Sequence, residues 1–214
     1  MGVGTTVDPR THQSAAGTRS ALYGRLAEVL TYPSPELTRA YTTGSLAAEL
    51  TALTAALPYP LAFDGAALTG SDVAALGPEF TRVFDVPLGA TPCPLYGGVL
   101  AGDRRQVMEE LLRYYRHFGL STADAELRDL PDAVPAVLEF LCYLAYMESE
   151  ATGDAASTFR RAQGDVLDRH LTKWAPIIRK RVGDLRPPPL YGAAAALLDD
   201  FVTAEQIHLT TRVL

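Results

Sequence analysis

Cysteine is nearly absent: Cys93 and Cys142 are the only two in 214 residues. Two thiols so far apart give no disulfide framework, which fits a reducing cytosol. Histidine is scarce and scattered, at His12, His117, His170 and His208, and no Cys or His pair has zinc-ligand spacing. A basic surplus is missing too. The formal net charge is -6 and the pI about 5.2, which argues against generic phosphate or nucleic-acid binding. There is no GxxxxGK[ST] loop, no GxGxxG after a strand and no GxSxG elbow. No strand-like alternation of useful length, internal repeat or heptad run is present. The first 18 residues are polar and carry no apolar block, so they lack the hydrophobic region of a secretory signal. Their Arg-containing, Ser/Thr-rich composition mimics a transit peptide, but they read as a disordered tail, 1–18, ahead of one domain at 19–214.

What the chain has is apolar helix. Residues 130–147 read LPDAVPAVLEFLCYLAYM, with Glu139 the only charge between Asp132 and Glu148. Val134, Val137, Leu138, Leu141, Leu144 and Ala145 follow helical spacing, while Phe140, Cys142 and Met147 make the other faces apolar. A helix apolar nearly all round is one that other helices cover. Asp132 is placed to cap it, with Pro135 in the first turn, where no backbone bond is lost. At roughly 15 residues it is too short to span a bilayer, which needs about 20.

Further helices follow from stripes and punctuation. Leu22, Leu26, Val29 and Leu30 form the first stripe, ended by Tyr32-Pro33-Ser34-Pro35, where Ser34 caps a second helix running to about Leu57 with a break at Gly44. A third opens at Ser71 or Asp72 and reaches Phe84. Residues 85–102 form a long Pro/Gly loop, functional or mobile by its length. Asp103 and Gln106 have capping-box spacing for a helix that Gly119 stops. Phe159, Val166, Leu167, His170, Leu171 and Trp174 stripe another, kinked or broken at Pro176, and Leu190, Ala194, Leu197, Leu198 and Phe201 stripe the last. The fold class is all-α: a single-domain helical bundle of roughly seven helices.

Polar exceptions need partners. His170, on an apolar stripe, reads as a satisfied core histidine ahead of a ligand. Arg104-Arg105 and Arg160-Arg161 read as solvated helix faces. Glu139 either serves a structural ion pair or rims a groove.

Several segments resemble one family. Glu79-Phe80-Thr81-Arg82-Val83-Phe84 resembles the E-x-x-R-L-F segment of the TorD/DmsD/NarJ molybdoenzyme maturation chaperones. Pro94 to Leu100, running into Asp103-Arg104, is similar to its Pro/Gly segment with an aromatic, and Tyr114 to Leu120 to its Y-x-x-x-G-L helix end. Leu130 to Leu141 is similar to its P-D-H stretch followed by L-E-F-L, and His170-Leu171 with Trp174 and Pro176 to its H-L-x-x-W-x-P. The His after Pro-Asp is Ala133 here, a departure that looks closer to the NarJ-like branch.

The resemblance implies a cytoplasmic chaperone, not an enzyme. It implies binding of the twin-arginine signal peptide and the unfilled body of a molybdenum-cofactor-containing catalytic subunit. Cofactor insertion is assisted and export delayed. Carried over onto this sequence, Phe80, Phe84, Tyr96, Gly97, Arg104, Pro131, Asp132 and Glu139 surround the client groove. For the phenylalanines core packing, and for Asp132 a plain cap, are the competing roles. No cofactor, metal, nucleic acid or stable membrane insertion is expected, and the chain is a monomer or a domain-swapped dimer. Two alternatives stay open: a stable accessory subunit of the finished complex, and an enzyme with a small-molecule pocket between helices that uses Glu139 with Tyr143 and Tyr146.

Overall fold

Apolar side chains on every face of the central helix require helices around it. The computed structural model, which describes residues 14–68, 73–85, 91–120 and 130–211, supplies them. In order these are α1 (Ala15–Val29), α2 (Pro35–Thr42), α3 (Ser45–Ala55), α4 (Leu76–Phe84), α5 (Gly97–Ala101), α6 (Arg104–His117), α7 (Val134–Glu150), α8 (Gly153–Val166), α9 (Thr172–Leu185) and α10 (Pro189–Thr211). Among the described residues there is no strand, only one isolated bridge between Tyr96 and Ala133. The all-α reading holds. Among the described residues ten α-helices stand where seven were expected because Gly44 parts α2 from α3, α5 forms inside the Pro/Gly loop, and a π-turn, Leu167–Leu171, divides α8 from α9.

Local chemistry sets the helix ends. The Ser34 hydroxyl accepts from Leu37 N–H at 3.0 Å and Asp103 Oδ1 from Gln106 N–H at 3.1 Å. Gly119, at φ +74°, lets Leu120 N–H turn back onto the Tyr115 carbonyl at 2.9 Å. Helix α1 starts at Ala15, inside the stretch expected as tail; residues 1–13 lie outside the described residues. Pro176 sits inside a continuous α9. The irregularity falls at the π-turn just before it, where the Thr172 hydroxyl satisfies the Leu167 carbonyl at 2.9 Å.

The most extensive helix pairing is α1 on α7. Gly24 makes it close: a Cβ there would stand 3.3 Å from the Cys142 sulfur. Helix α8 covers a further face of α7, and α10 packs on α1, α8 and α9, in one core running from Leu22 to Leu209.

A charged knot is buried in this core. Arg19 on α1 is 1% exposed, and its guanidinium reaches Glu205 on α10 at 2.9 Å, Glu148 on α7 at 3.0 Å and the Gln163 side chain on α8. Glu205 also accepts from the Tyr23 hydroxyl at 2.9 Å and the Tyr59 hydroxyl at 2.5 Å. Burial alone pushes the Glu148 carboxyl upward, yet the Arg19 charge and hydrogen bonds outweigh it and hold it below its usual range. Arg160 is a correction to the solvated-face reading: it is half-buried, bonds Glu148 at 3.2 Å and donates to the His208 carbonyl at 2.8 Å. Arg104, Arg105 and Arg161 are exposed as expected.

Removing Arg19 strands the fully buried Glu205 carboxylate and leaves the half-buried Glu148 with Arg160 as its remaining cation. Arg19→Leu is expected to cost about 3–5 kcal/mol, or roughly 10 °C in melting temperature for a chain of this size. Thermal unfolding followed by circular dichroism checks it; an unchanged midpoint would show the knot to be dispensable.

Candidate functional site

The Pro/Gly loop is tied to the first turn of α7. Val134 N–H donates to the Leu95 carbonyl at 2.9 Å, and Gly97 N–H to the Asp132 carbonyl at 2.7 Å, which makes the Tyr96–Ala133 bridge. Asp132 is fully buried, and its Oδ2 accepts from Gly98 N–H at 3.0 Å. This corrects two expectations. Asp132 caps α5, not α7, whose N-cap is Ala133 with no side-chain bond. Nor does its carboxylate stand open to a client groove, since Asp132 is fully buried. The reason is the loop, which brings the free N–H groups of α5 to the carboxylate before α7 can use it.

Both glycines are forced by close approach. A Cβ on Gly97 would stand 2.2 Å from ring carbons of Trp174, and one on Gly98 would stand 2.3 Å from the Arg104 Cα. Trp174 is fully buried and tilts against His170 at 5.2 Å between ring centroids. The Tyr115 hydroxyl donates to the Pro131 carbonyl at 2.8 Å. The loop, the Pro-Asp turn, α6 and α9 therefore meet at one node.

Beside the node opens a cleft of about 300 Å³ whose walls include Tyr32, Phe80, Phe84, Leu95, Tyr96, Ala133 and Pro135. Its aromatic wall is braced from behind. Phe80 and Phe84 are 5.1 Å apart, both pack edge-on against Tyr191, and the Tyr191 hydroxyl donates to the Leu76 carbonyl at 2.8 Å. Tyr32 leans on Phe80 at 5.7 Å and is 59% exposed, so it forms the rim, and the exposed Asp85 carboxylate stands at the same mouth. Such a cleft can take one apolar or aromatic side chain, with a cation beside it.

Of the eight sequence-chosen residues, Phe80, Phe84 and Tyr96 line the cleft. Gly97, Pro131 and Asp132 build the node behind it. Arg104 is exposed at the start of α6, next to Gly98, and Glu139 is exposed on α7 away from the cleft walls. Glu139 is exposed, so it does not sit buried in the core. Sequence reasoning missed Tyr32 and Asp85. The signal for Tyr32 was an aromatic in a helix-ending turn with no stripe to join.

His170 is buried in the core, as the stripe suggested, but it is not the satisfied histidine expected: its Nε2 makes no hydrogen bond among the described residues. Burial pushes it down to about 4, against an upward pull from Glu110, whose Oε2 lies 3.6 Å from its Nε2. Among the described residues no group of three or more His, Cys, Asp or Glu could hold a metal ion, and no helix is long and apolar enough to cross a membrane.

Comparison with known proteins fits this node. Residues 43–179, which contain α4, the loop, the Pro-Asp turn and Trp174, match the nitrate reductase delta subunit family. The chain belongs to that family. Among the proteins it is similar to is the selenate reductase assembly chaperone protein of Thauera selenatis. It is 37% identical over 108 residues, covering 49% of this chain and 55% of the relative. The perchlorate reductase assembly chaperone protein of Dechloromonas aromatica is 33% identical over 129 residues, covering 58% and 57%. The chain thus spans about half the length of the curated relatives it matches. A solved chain from Archaeoglobus fulgidus, proposed to be a redox enzyme maturation protein, shares the fold at a TM-score of 0.53 and 20% identity, covering 86% of this chain and 93% of its own. These findings bear out the resemblance to the maturation chaperones.

Two outcomes follow from the node. Gly97→Ala pushes a methyl into the Trp174 ring, so it is expected to destabilise by about 1–3 kcal/mol and to quench or shift Trp174 fluorescence; an unaltered spectrum and midpoint would contradict the close approach. His170 is depressed in the folded state, so the unfolded chain takes up the extra proton. Its contribution to stability is complete above about pH 6.5 and is lost as pH falls toward 4. The melting temperature should fall between pH 7 and 5, and His170→Gln should flatten that slope.

Proposed function

We propose that this protein is an assembly chaperone for a molybdenum-containing catalytic subunit. The client's leader segment occupies the cleft, and the body of the unfilled subunit is held while its cofactor is inserted. In this reading the protein acts in the cytoplasm, by binding and not by catalysis, and its hold on the leader delays export. The observation that carries it is the braced aromatic cleft, which stands where the segments resembling the family converge and whose rim carries an exposed carboxylate. An apolar side chain of the leader seats against Phe80, Phe84 and Tyr96, and an arginine of its twin pair meets Asp85. The names of the relatives, reductase assembly chaperones, support the same reading.

Ala133 enters this argument by its size. The resembled motif places an imidazole there; in this chain a methyl group lines the cleft, which leaves room for a bulkier client side chain. Asp132 acts indirectly, by holding α5 and so Tyr96 in place.

Titration calorimetry with a synthetic twin-arginine leader peptide tests the proposal. Phe80 is buried, so its loss would confuse binding with folding; Tyr32 is the cleaner site. Tyr32→Ala is expected to weaken binding about tenfold, or ~1.4 kcal/mol, with little change in melting temperature. Asp85→Asn should weaken it less at high salt than at low salt, because screening already reduces the wild-type attraction. Wild-type affinity in both variants would place the leader elsewhere.

A further inference from the structure

A second cleft, of about 620 Å³, lies between α6 and α8 and shares no wall residue with the first. Its chemistry has the opposite sign. Arg113, Arg161 and Arg169 face it, against the two carboxylates of Glu110 and Asp165, in a chain whose net charge is -6. Six arginines, Arg19, Arg25, Arg82, Arg105, Arg160 and Arg179, each reach a carboxylate within 3.2 Å, while Arg39, Arg104, Arg116, Arg181 and Arg186 form no salt bridge among the described residues. Among the described residues Arg113, Arg161 and Arg169 form no salt bridge. Arg161 reaches only the Thr158 hydroxyl, at 3.5 Å, and Arg169 stands beside the Tyr114 hydroxyl.

The floor is apolar and held in place. Phe118 packs on Phe140 at 5.9 Å and on Phe159 at 5.6 Å, and Tyr114, one turn earlier on α6, shows one side to the cleft. Guanidinium forks above an aromatic floor suit a carboxylate beside a large apolar side chain. The site is also long. A further cavity of about 370 Å³ on the α10 side of α8 shares Arg161 and Asp165 with it and adds Asp168 and Arg160, the latter already paired with Glu148. A charged track that crosses a whole helix fits an extended chain better than a compact anion.

We propose that the α6–α8 cleft docks an acidic segment of a protein partner, its carboxylates on Arg113, Arg161 and Arg169 and one aromatic or leucine side chain against Tyr114 and Phe118. This goes beyond the leader-binding reading. A leader is basic, so one peptide cannot fill both clefts, and the two sites test separately.

The probe is a fluorescein-labelled peptide of glutamates around a single phenylalanine, measured by anisotropy on the full chain. A second peptide carries glycine in place of that phenylalanine. Saturable binding is expected for the first, weaker for the second and weaker again at high salt. The double charge reversal Arg113→Glu with Arg161→Glu should lower affinity about tenfold or more, the equivalent of losing at least one charge-assisted hydrogen bond. Both side chains are exposed, so the melting temperature should hold. Tyr114→Ser should erase the difference between the two peptides. Twin-arginine leader binding should be unchanged in the Arg113/Arg161 variant, whatever its strength in wild type. Equal affinity for both peptides, indifference to the charge reversal, no binding at all, or preferential capture of inorganic phosphate would each overturn the proposal.

Discussion

Two backbone hydrogen bonds, Val134 N–H to the Leu95 carbonyl and Gly97 N–H to the Asp132 carbonyl, hold the site together. They join the Pro/Gly loop to the start of the central helix, segments separated in the chain by α6. A loop of this kind would otherwise pay a large ordering entropy for little contact. The Asp132 carboxylate then fixes α5 by its first free N–H groups, and Gly97 lets the loop lie flat on Trp174. Tyr96, leaving the bridge on one side, becomes a wall of the cleft. Without these bonds the aromatic wall of α4 would lose Leu95 and Tyr96 from the cleft around it.

The second constraint acts at a distance. Arg19, Glu148, Gln163 and Glu205 tie α1, α7, α8 and α10 through side chains that lie as much as 186 residues apart. Such a knot stabilises little by itself, since desolvation offsets much of the attraction. Its consequence is specificity of packing: a slipped register between α1 and α10 would bury a charge without its partner. That fixed frame sets α1 against α7, and the end of α1 carries Tyr32 to the rim of the cleft.

How far the sequence shows this depends on the range of the interaction. Ser34, Asp103 and Gly119 announce helix ends because their bonds are closed within a few residues. The central helix is legible because apolar residues on all faces have one meaning. Asp132 misleads: a carboxylate just before a proline-bearing helix matches a cap, and only the fold shows that another helix start reaches it first. Glu139 misleads through its apolar neighbours in sequence, although its own direction is outward. Arg19 lies three residues before Leu22 and Glu205 three after Val202, each on an apolar stripe; two opposite charges in such positions were the available sign of a buried pair. The matched segments indicated Phe80, Phe84 and Tyr96 but could not supply Tyr32 or Asp85, which join the cleft only through tertiary packing.

The central claim is that the node-built cleft holds the client's leader. Hydrogen–deuterium exchange of this protein, alone and with a synthetic twin-arginine leader peptide, tests it most directly. The account predicts slower exchange in α4, in the Tyr96–Leu100 amides and in the first turn of α7, with the α6–α8 cleft unaffected. Protection confined to α6, α8 or α10, with α4 and the loop unchanged, would contradict it.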